Sequence, residues 1–183
     1  MASPLLDRAP PSEFADRRQT FEIKAKIDDF EGLSKIIEAD LATLAPASRP
    51  QNWRAESVDI RVSFSWADVR KTLPSLKGRV ETAVPAVCQR CLGAMRLPLQ
   101  LELDLLLAAG EAGDGQEVWE LEDDTVCPLD VIEESMIMAM PLAAMHKHGE
   151  RCDAPQRTAE TPSQNKVRPF ADLKAQLDGD NGE

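Results

Sequence analysis

Residues 80–107 read VETAVPAVCQRCLGAMRLPLQLELDLLL, and this stretch decides the fold. Val80, Thr82 and Val84 occupy every second position at the start of a run that ends at Val87, and leucines occupy every second position from Leu97 to Leu107. A period of two is typical of a strand that buries one face. The link between the two runs is short and contains Gly93. The pattern therefore predicts an antiparallel hairpin with a Cys-Gln-Arg-Cys segment at its tip.

The same spacing rules assign the rest of the chain, since apolar residues three or four positions apart indicate a helix. In chain order they predict a strand over 21–27, a helix over 30–44, a strand over 58–66, a turn over 74–79, a short edge strand over 118–121 and a helix over 128–140. Asp28 and Asp29 are the predicted caps of the first helix. Pro128 suits the first turn of the second helix.

These elements predict an α+β fold with a mostly antiparallel β-sheet, an early helix and a late helix. Residues 1–19 contain closely spaced prolines and are predicted to form an extended N-terminal lead-in. The folded domain is expected to cover residues 20–148. Residues 149–183 begin as a polar stretch and are predicted to form a flexible C-terminal extension with a short amphipathic motif.

The net charge of −11 and the aromatic content of 4% argue against a protein that adheres generally to nucleic acid or stacks many bases. The charge is unevenly spread along the chain. Residues 49–96 carry nine basic and four acidic residues, whereas residues 97–140 carry twelve acidic and no basic residues. If the fold keeps these two blocks apart, the surface is bipolar.

Two cysteines three positions apart, Cys88 and Cys91, are typical of one half of a tetrahedral zinc site. His146 and Cys152 can supply the other half, so these four residues are the candidate ligands of Zn²⁺. The alternative is a group of reduced, unligated thiols at the hairpin tip. A thioredoxin-like redox pair is disfavoured because it requires a junction between a strand and a helix.

Two sets of charged residues are candidate contacts to a macromolecule. The basic set can touch RNA, with an ordinary polar strand face as the alternative, and consists of Arg79, Arg90 and Arg96. The acidic set can receive a basic protein, with a solvated acidic surface as the alternative. Its members are Glu117, Glu120, Glu122, Asp123 and Asp124.

The sequence offers no catalytic pattern. Its two histidines share one short segment, and no phosphate-binding glycine motif occurs. We therefore expect no enzymatic activity and no small-molecule substrate. No run approaches the roughly 20 apolar residues of a membrane span, and the N-terminus lacks the pattern of a signal peptide. These features predict a cytoplasmic protein without a membrane partner.

Three segments together resemble the YceD family, the large ribosomal RNA subunit accumulation proteins. One is Val87-Cys88-Gln89-Arg90-Cys91 on the hairpin, another is the late helix ending at Met140-Pro141 with His146 and Cys152 beyond it, and the third is Pro169-Phe170 in the tail. The resemblance extends over residues 20–178, with Met140 and Ala144 as departures from the family's usual residues.

This resemblance implies a bacterial cytosolic protein that supports synthesis, processing or accumulation of large-subunit (23S) rRNA during ribosome biogenesis, without known enzymatic activity. Two routes are open: contact with precursor rRNA through the basic set, or contact with a basic large-subunit ribosomal protein through the acidic set. Composition favours the protein route, because a strongly acidic block complements a basic partner. The alternative function is a zinc-stabilised protein-interaction module unrelated to ribosomes.

Overall fold

The computed structural model describes residues 4–108, 117–121, 123–147 and 152. The described elements are, in chain order, helix α1 (Pro11–Asp16), strand β1 (Thr20–Lys26), helix α2 (Glu31–Leu41), strand β2 (Ser57–Trp66), strand β3 (Pro74–Val87), strand β4 (Ala94–Ala108), strand β5 (Glu117–Glu120) and helix α3 (Pro128–Ala139). Short 3₁₀ turns cover Pro4–Leu6, Ile27–Asp29, Pro46–Ser48 and Trp53–Ala55. The predicted α+β fold is confirmed.

The sheet has five strands in the order β1-β2-β3-β4-β5. Its first four strands pair antiparallel, and the predicted hairpin is the β3–β4 pair, in register with Val80 opposite Leu101. The short edge strand β5 pairs with β4 in parallel, from Leu105 opposite Glu117 onward. The sheet is therefore mostly antiparallel, as predicted, with one parallel edge strand.

Alternation along the strands separates a buried face from a charged face. On β4 the odd-numbered residues from Leu99 to Leu107 are buried, whereas Gln100, Glu102 and Asp104 are exposed. Helices α2 and α3 cover the buried face, with Leu33, Ile37, Ile132 and Met136 fully enclosed in the core. Such enclosure of apolar surface contributes roughly 25 cal/mol per Å² removed from water, so this layer carries the stability of the fold.

The predicted turn over 74–79 is wrong, because these residues are the first part of β3. Gly78 lies opposite Val62, and a Cβ at this position would come within 2.2 Å of the Arg61 carbonyl oxygen. The glycine therefore permits a close approach of two strands rather than a reversal of the chain. The actual β2–β3 turn precedes Pro74, where Asp68 accepts hydrogen bonds from the backbone N–H groups of Thr72 and Leu73 at 2.8 Å.

The N-terminus of helix α2 is capped by a residue distant in sequence, not by the predicted Asp28 and Asp29. Asp29 instead accepts a hydrogen bond from the backbone N–H of Lys26 at 2.8 Å. The N-terminal turn of α2 is served by Glu133 of α3, whose Oε1 accepts from the backbone N–H of Leu33 at 2.9 Å. A Cβ at position 32 would lie 3.1 Å from this oxygen, so Gly32 gives the carboxylate room.

The predicted extended lead-in is wrong for residues 11–16, which form helix α1. Leu5 and Phe14 are buried in the core, and the Phe14 ring stacks on that of Phe64 with a centroid separation of 4.7 Å. Burial of these apolar side chains favours a packed segment over an extended one. Of the predicted C-terminal extension, only Cys152 lies within the described residues. Among the described helices, none has the length and apolar character of a membrane span.

Candidate metal centre

The tip of the β3–β4 hairpin is a tight knuckle that starts at Cys88. The backbone N–H of Cys88 donates to the Gly93 carbonyl at 2.9 Å, and the backbone N–H of Leu92 donates to the Cys88 carbonyl at 2.8 Å. Leu92 adopts the left-handed backbone conformation with φ 57°. This local winding brings the Cys88 and Cys91 side chains to the same side of the turn.

The segment after α3 crosses this tip and brings the second pair of candidate ligands to it. The backbone N–H of Gln89 donates to the Ala144 carbonyl at 2.8 Å, and Ala144 is buried. His146 follows two residues later, and Cys152 lies against the knuckle as well. The segment that follows α3 thus meets the tip of the hairpin, although the two pairs of candidate ligands are far apart in sequence.

The four candidate ligand atoms lie within 4.8 Å of one another. The Sγ atoms of Cys88 and Cys152 are 3.7 Å apart, and Cys91 Sγ is 3.6 Å from His146 Nδ1. Around a tetrahedral zinc ion, ligand atoms are separated by about 3.8 Å for two sulfurs and about 3.6 Å for a sulfur and a nitrogen, given zinc–ligand bonds of about 2.3 and about 2.1 Å. The residues present therefore suit a tetrahedral metal ion.

None of these sulfurs is in a disulfide. The hairpin position also lacks the helix that a thioredoxin-like pair requires, since Cys91 is followed by strand β4. Cys127 is buried elsewhere, with its sulfur 3.4 Å from the Leu5 carbonyl oxygen. The cluster is thus a separate arrangement of three thiols and one imidazole, which can hold a metal ion.

The surroundings of Cys88 favour its thiolate form. Burial acts to raise the pKa of this thiol, but hydrogen bonds from the backbone N–H groups of three neighbours lower the pKa to about 5. These neighbours are Cys91, His146 and Arg90. Backbone N–H groups directed at a cysteine sulfur stabilise negative charge there, which is the form in which cysteine binds metals.

The other members of the cluster respond to the same negative charge. The Arg90 guanidinium donates from Nε to Cys152 Sγ at 3.1 Å and lowers the pKa of that thiol. Hydrogen bonds with Cys152 and Cys88 raise the pKa of His146. For Cys91, a hydrogen bond from the Gly93 backbone acts to lower the pKa, but burial and the neighbouring thiols prevail and raise it. Two of the three thiols, Cys88 and Cys152, are therefore favoured as thiolates, the form of cysteine that binds metals.

A family model described as Large ribosomal RNA subunit accumulation protein YceD matches residues 76–177, which include both halves of the cluster. The chain belongs to the YceD family. The family's description implies a role in accumulation of the large ribosomal RNA subunit. No curated protein and no solved structure gives a significant match to the chain.

The basic set of this YceD protein does not form one patch. Arg79 contacts Glu81 and lies 3.7 Å from Glu102, and Arg96 contacts Glu56 at 2.9 Å. Arg90 instead donates to Cys152, so it belongs to the candidate metal centre. The three candidate RNA contacts thus have separate partners.

A bipolar surface required the two charge blocks to lie apart, and in the described part of the sheet they do not. Strand β3 carries basic residues and pairs directly with β4, which carries acidic ones, so opposite charges interleave across the exposed face. Lys77 contacts Asp104 at 2.9 Å. Such exposed pairs are worth about 0–1 kcal/mol each, but they neutralise the face locally.

The acidic set of this YceD protein is found at the opposite end of β4 from the metal centre. Glu117 and Glu120 are exposed on β5, and Asp123 and Asp124 are exposed in the loop that follows. Among the described residues, no basic side chain forms an ion pair with any of these four carboxylates. Glu122, Pro169 and Phe170 lie outside the described residues.

Two functional features of this YceD protein were missed at the level of sequence. One is the hydrogen bond from Arg90 to Cys152, which could have been suspected from the position of the arginine inside the Cys-Gln-Arg-Cys segment. The other is Asp40 of α2, whose Oδ2 accepts from the backbone N–H of Val87 at 2.8 Å and anchors the base of the knuckle. No signal in the sequence connects Asp40 to the hairpin.

Proposed function

We propose that this chain is a non-catalytic, cytoplasmic ribosome biogenesis factor that supports synthesis, processing or accumulation of 23S rRNA. The observation that carries the proposal is the family match over residues 76–177. The matched region contains the hairpin knuckle and the segment that crosses it. The convergence of Cys88, Cys91, His146 and Cys152 supports the proposal, because the most distinctive residues of the matched region form one site.

We further propose that the site holds Zn²⁺ through the Sγ atoms of the three cysteines and Nδ1 of His146. Sulfur and imidazole donors in a four-ligand set suit zinc, which supplies a cross-link without redox chemistry. The protein residues do the positioning: the knuckle fixes two thiols, and the hydrogen bond from Gln89 to Ala144 holds the crossing segment. Four protein ligands fill the coordination sphere, so the site is structural rather than catalytic.

A basic large-subunit ribosomal protein is the partner that the charge distribution favours. The four described carboxylates of the acidic set have no ion-pair partner among the described residues, whereas Arg79 and Arg96 are paired with carboxylates. Precursor rRNA would have to displace these pairs to reach the guanidinium groups. The protein route therefore requires less rearrangement of this surface than the RNA route.

Depletion of the protein in its own cells tests the function. We expect the ratio of large to small ribosomal subunits to fall, with 23S rRNA reduced relative to 16S rRNA, because the large subunit cannot accumulate. Gradient sedimentation and rRNA quantification measure both ratios. Expression of the wild-type chain should restore them, and it serves as the control for indirect effects of depletion.

Unchanged subunit ratios after depletion would contradict this function. If the purified chain nevertheless contained zinc and bound a protein partner, it would be a zinc-stabilised interaction module unrelated to ribosomes. The two functions are thus separated by one measurement on ribosomes and one on the purified protein.

A further inference from the structure

A groove of about 700 Å³ lies between β5 and α3, at the end of the sheet distant from the metal centre. Val118 and Trp119 of β5 and Met138 of α3 line its apolar part. Met138 is 80% exposed, although it is a large apolar side chain. Such an exposed apolar contact in a concave surface is typical of an interaction site.

One edge of this groove is the outer edge of the sheet, because β5 is the last of the described strands. The backbone N–H of Leu121 donates to the Ala108 carbonyl on β4. Backbone groups alternate in direction along a strand, so those of Val118 and Glu120 point away from β4. An edge of this kind can accept a further strand from another chain.

The polar part of the groove is acidic. Glu120 lies on β5, and Asp130 and Glu134 lie on α3. Asp130, Glu134 and Met138 are spaced four residues apart, so they share one face of the helix. Arg8 contacts Asp130 at 2.6 Å, but among the described residues Glu120 and Glu134 have no ion-pair partner.

We propose that this groove binds an extended basic segment of a partner protein, which adds to the open edge of β5 and places lysine or arginine side chains on Glu120 and Glu134. Backbone hydrogen bonds along β5 would give affinity, and the carboxylates would select positive charge. Apolar side chains of the segment would cover Val118 and Met138. The proposal rests on the protein route of the proposed function and identifies where and in what conformation the basic partner is held.

Charge selects this occupant over two others. A nucleic acid would bring phosphates against Glu120 and Glu134, which repel them. A second copy of this chain, paired edge to edge, would bring its own Glu117 and Glu120 against the same residues, and like charges opposite each other in a sheet are destabilising. An extended basic peptide meets neither obstacle.

The test measures binding of a fluorescent peptide of about ten residues, the length of a long strand, which alternates lysine with valine or threonine. The full chain is titrated by fluorescence anisotropy. Comparison peptides carry glutamate in place of each lysine, or carry N-methyl groups that remove the N–H donors along one edge. The variant Glu120→Gln with Glu134→Gln is compared with Glu22→Gln with Glu102→Gln, which removes the same charge from the exposed face of the sheet.

We expect the lysine peptide to bind, and the groove variant to bind it about tenfold more weakly, since it loses two exposed ion pairs to the peptide. The control variant should change the dissociation constant less than about twofold. The glutamate peptide should not bind, and the N-methylated peptide should bind at least about tenfold more weakly, because it cannot pair with β5.

Equal loss in the groove variant and the control variant would overturn the proposal, because attraction would then follow net charge alone. Undiminished binding of the N-methylated peptide would also overturn it, by excluding strand addition. If the chain formed dimers and the peptide abolished them, the groove would be a contact between copies of this chain, and this result would also overturn the proposal. Failure of the wild-type chain to bind the lysine peptide, together with ribosomal subunits restored by the groove variant, would remove this proposal and leave the proposed function intact.

Discussion

Strand β4 starts beside the metal centre and ends beside the acidic groove, and charge is treated differently at its two ends. At the start, the thiolates of Cys88 and Cys152 are stabilised by backbone N–H groups, His146 and Arg90, all supplied by the same chain. At the end, Glu120 and Glu134 have no basic partner among the described residues. Charge that is satisfied internally is used to hold the fold, whereas charge left unpaired is available to another molecule.

Metal removal should have the largest effect, and this effect should be confined to the end of β4 that adjoins the candidate metal centre. Protein purified without chelator should contain about one zinc per chain, and Cys88→Ser should contain almost none, since a structural site needs all four ligands. Elemental analysis measures the content, and the melting temperature of the wild type should fall after chelation. Cys127→Ser is the matched control and should keep its zinc. A wild type without zinc, with melting unchanged by chelator, contradicts the site.

Neutralising the acidic set tests the opposite end. Pull-down from a nuclease-treated lysate should recover a small basic large-subunit protein with the wild-type chain, and should lose it when five acidic residues become amides, because the attraction depends on their charge. These residues are Glu117, Glu120, Glu122, Asp123 and Asp124. Unaltered zinc content in this variant is the control for folding.

Loss of every ribosomal component after nuclease treatment would reverse this conclusion. The association would then run through RNA, and affinity for rRNA should fall steeply with salt and with charge reversal at the basic set. That set is Arg79, Arg90 and Arg96.

Substitution of Arg90 should have an intermediate effect on zinc retention, which distinguishes Arg90 from the other residues of the basic set. Arg90→Ala should weaken zinc retention about tenfold, because residues that hydrogen-bond metal ligands typically contribute this much. Competition against a chromophoric chelator measures the change. Arg96→Ala removes the same charge from a residue paired with Glu56 and should leave zinc retention unchanged. Equal retention in both variants would mean that Arg90 only neighbours the site.

Two adjacent glutamates on α3 repeat the comparison on a smaller scale. Glu133→Ala removes the hydrogen bond to the Leu33 backbone and should lower the free energy of unfolding by about 1 kcal/mol, the typical value of a helix cap. Glu134→Ala removes an exposed groove residue and should stay within about 0.5 kcal/mol of the wild type. Urea denaturation measures both. Equal losses would contradict the long-range cap.

Asp68 should show the smallest effect, through pH. Burial acts to raise its pKa, but hydrogen bonds from Leu73 and Thr72 outweigh burial and lower the pKa below 3.8. The folded state therefore favours the carboxylate, so the stabilisation is present above the ordinary pKa and is lost as pH falls through the folded value. Urea unfolding between about pH 5 and about pH 2 should show a smaller acid loss in Asp68→Asn than in the wild type. Identical pH profiles would contradict this contribution.

Regular spacing of apolar residues made the hairpin and the late helix predictable. A period of two in a strand, or of 3.6 in a helix, leaves few choices about which face is buried. The four candidate metal ligands were predictable because the chain has only four cysteines and two histidines, which leaves few possible sets of sulfur and imidazole ligands. Their convergence was not, since it depends on the Gln89–Ala144 hydrogen bond between distant segments.

Predictions from local composition failed where a residue makes a contact with a segment distant in sequence. Gly78 lies in the segment 74–79 that is predicted as a turn, but it allows the close approach of Arg61 on the neighbouring strand. The charge blocks are separate in the sequence, but antiparallel pairing of β3 with β4 mixes them, as Lys77 and Asp104 show. Both differences arise because pairing register is a tertiary property that a window of sequence does not contain.

The distance along the chain between the two halves of the metal centre has a consequence for synthesis. Cys88 and Cys152 are 64 positions apart, so the knuckle leaves the translating ribosome about 3 to 13 s before its last ligand, at about 5 to 20 residues per second. Strands β1 to β4 have all emerged in that interval. A nascent chain therefore presents Cys88 and Cys91 without the other two candidate ligands while its sheet can already form, and all four residues can hold a metal ion only after Cys152 has emerged.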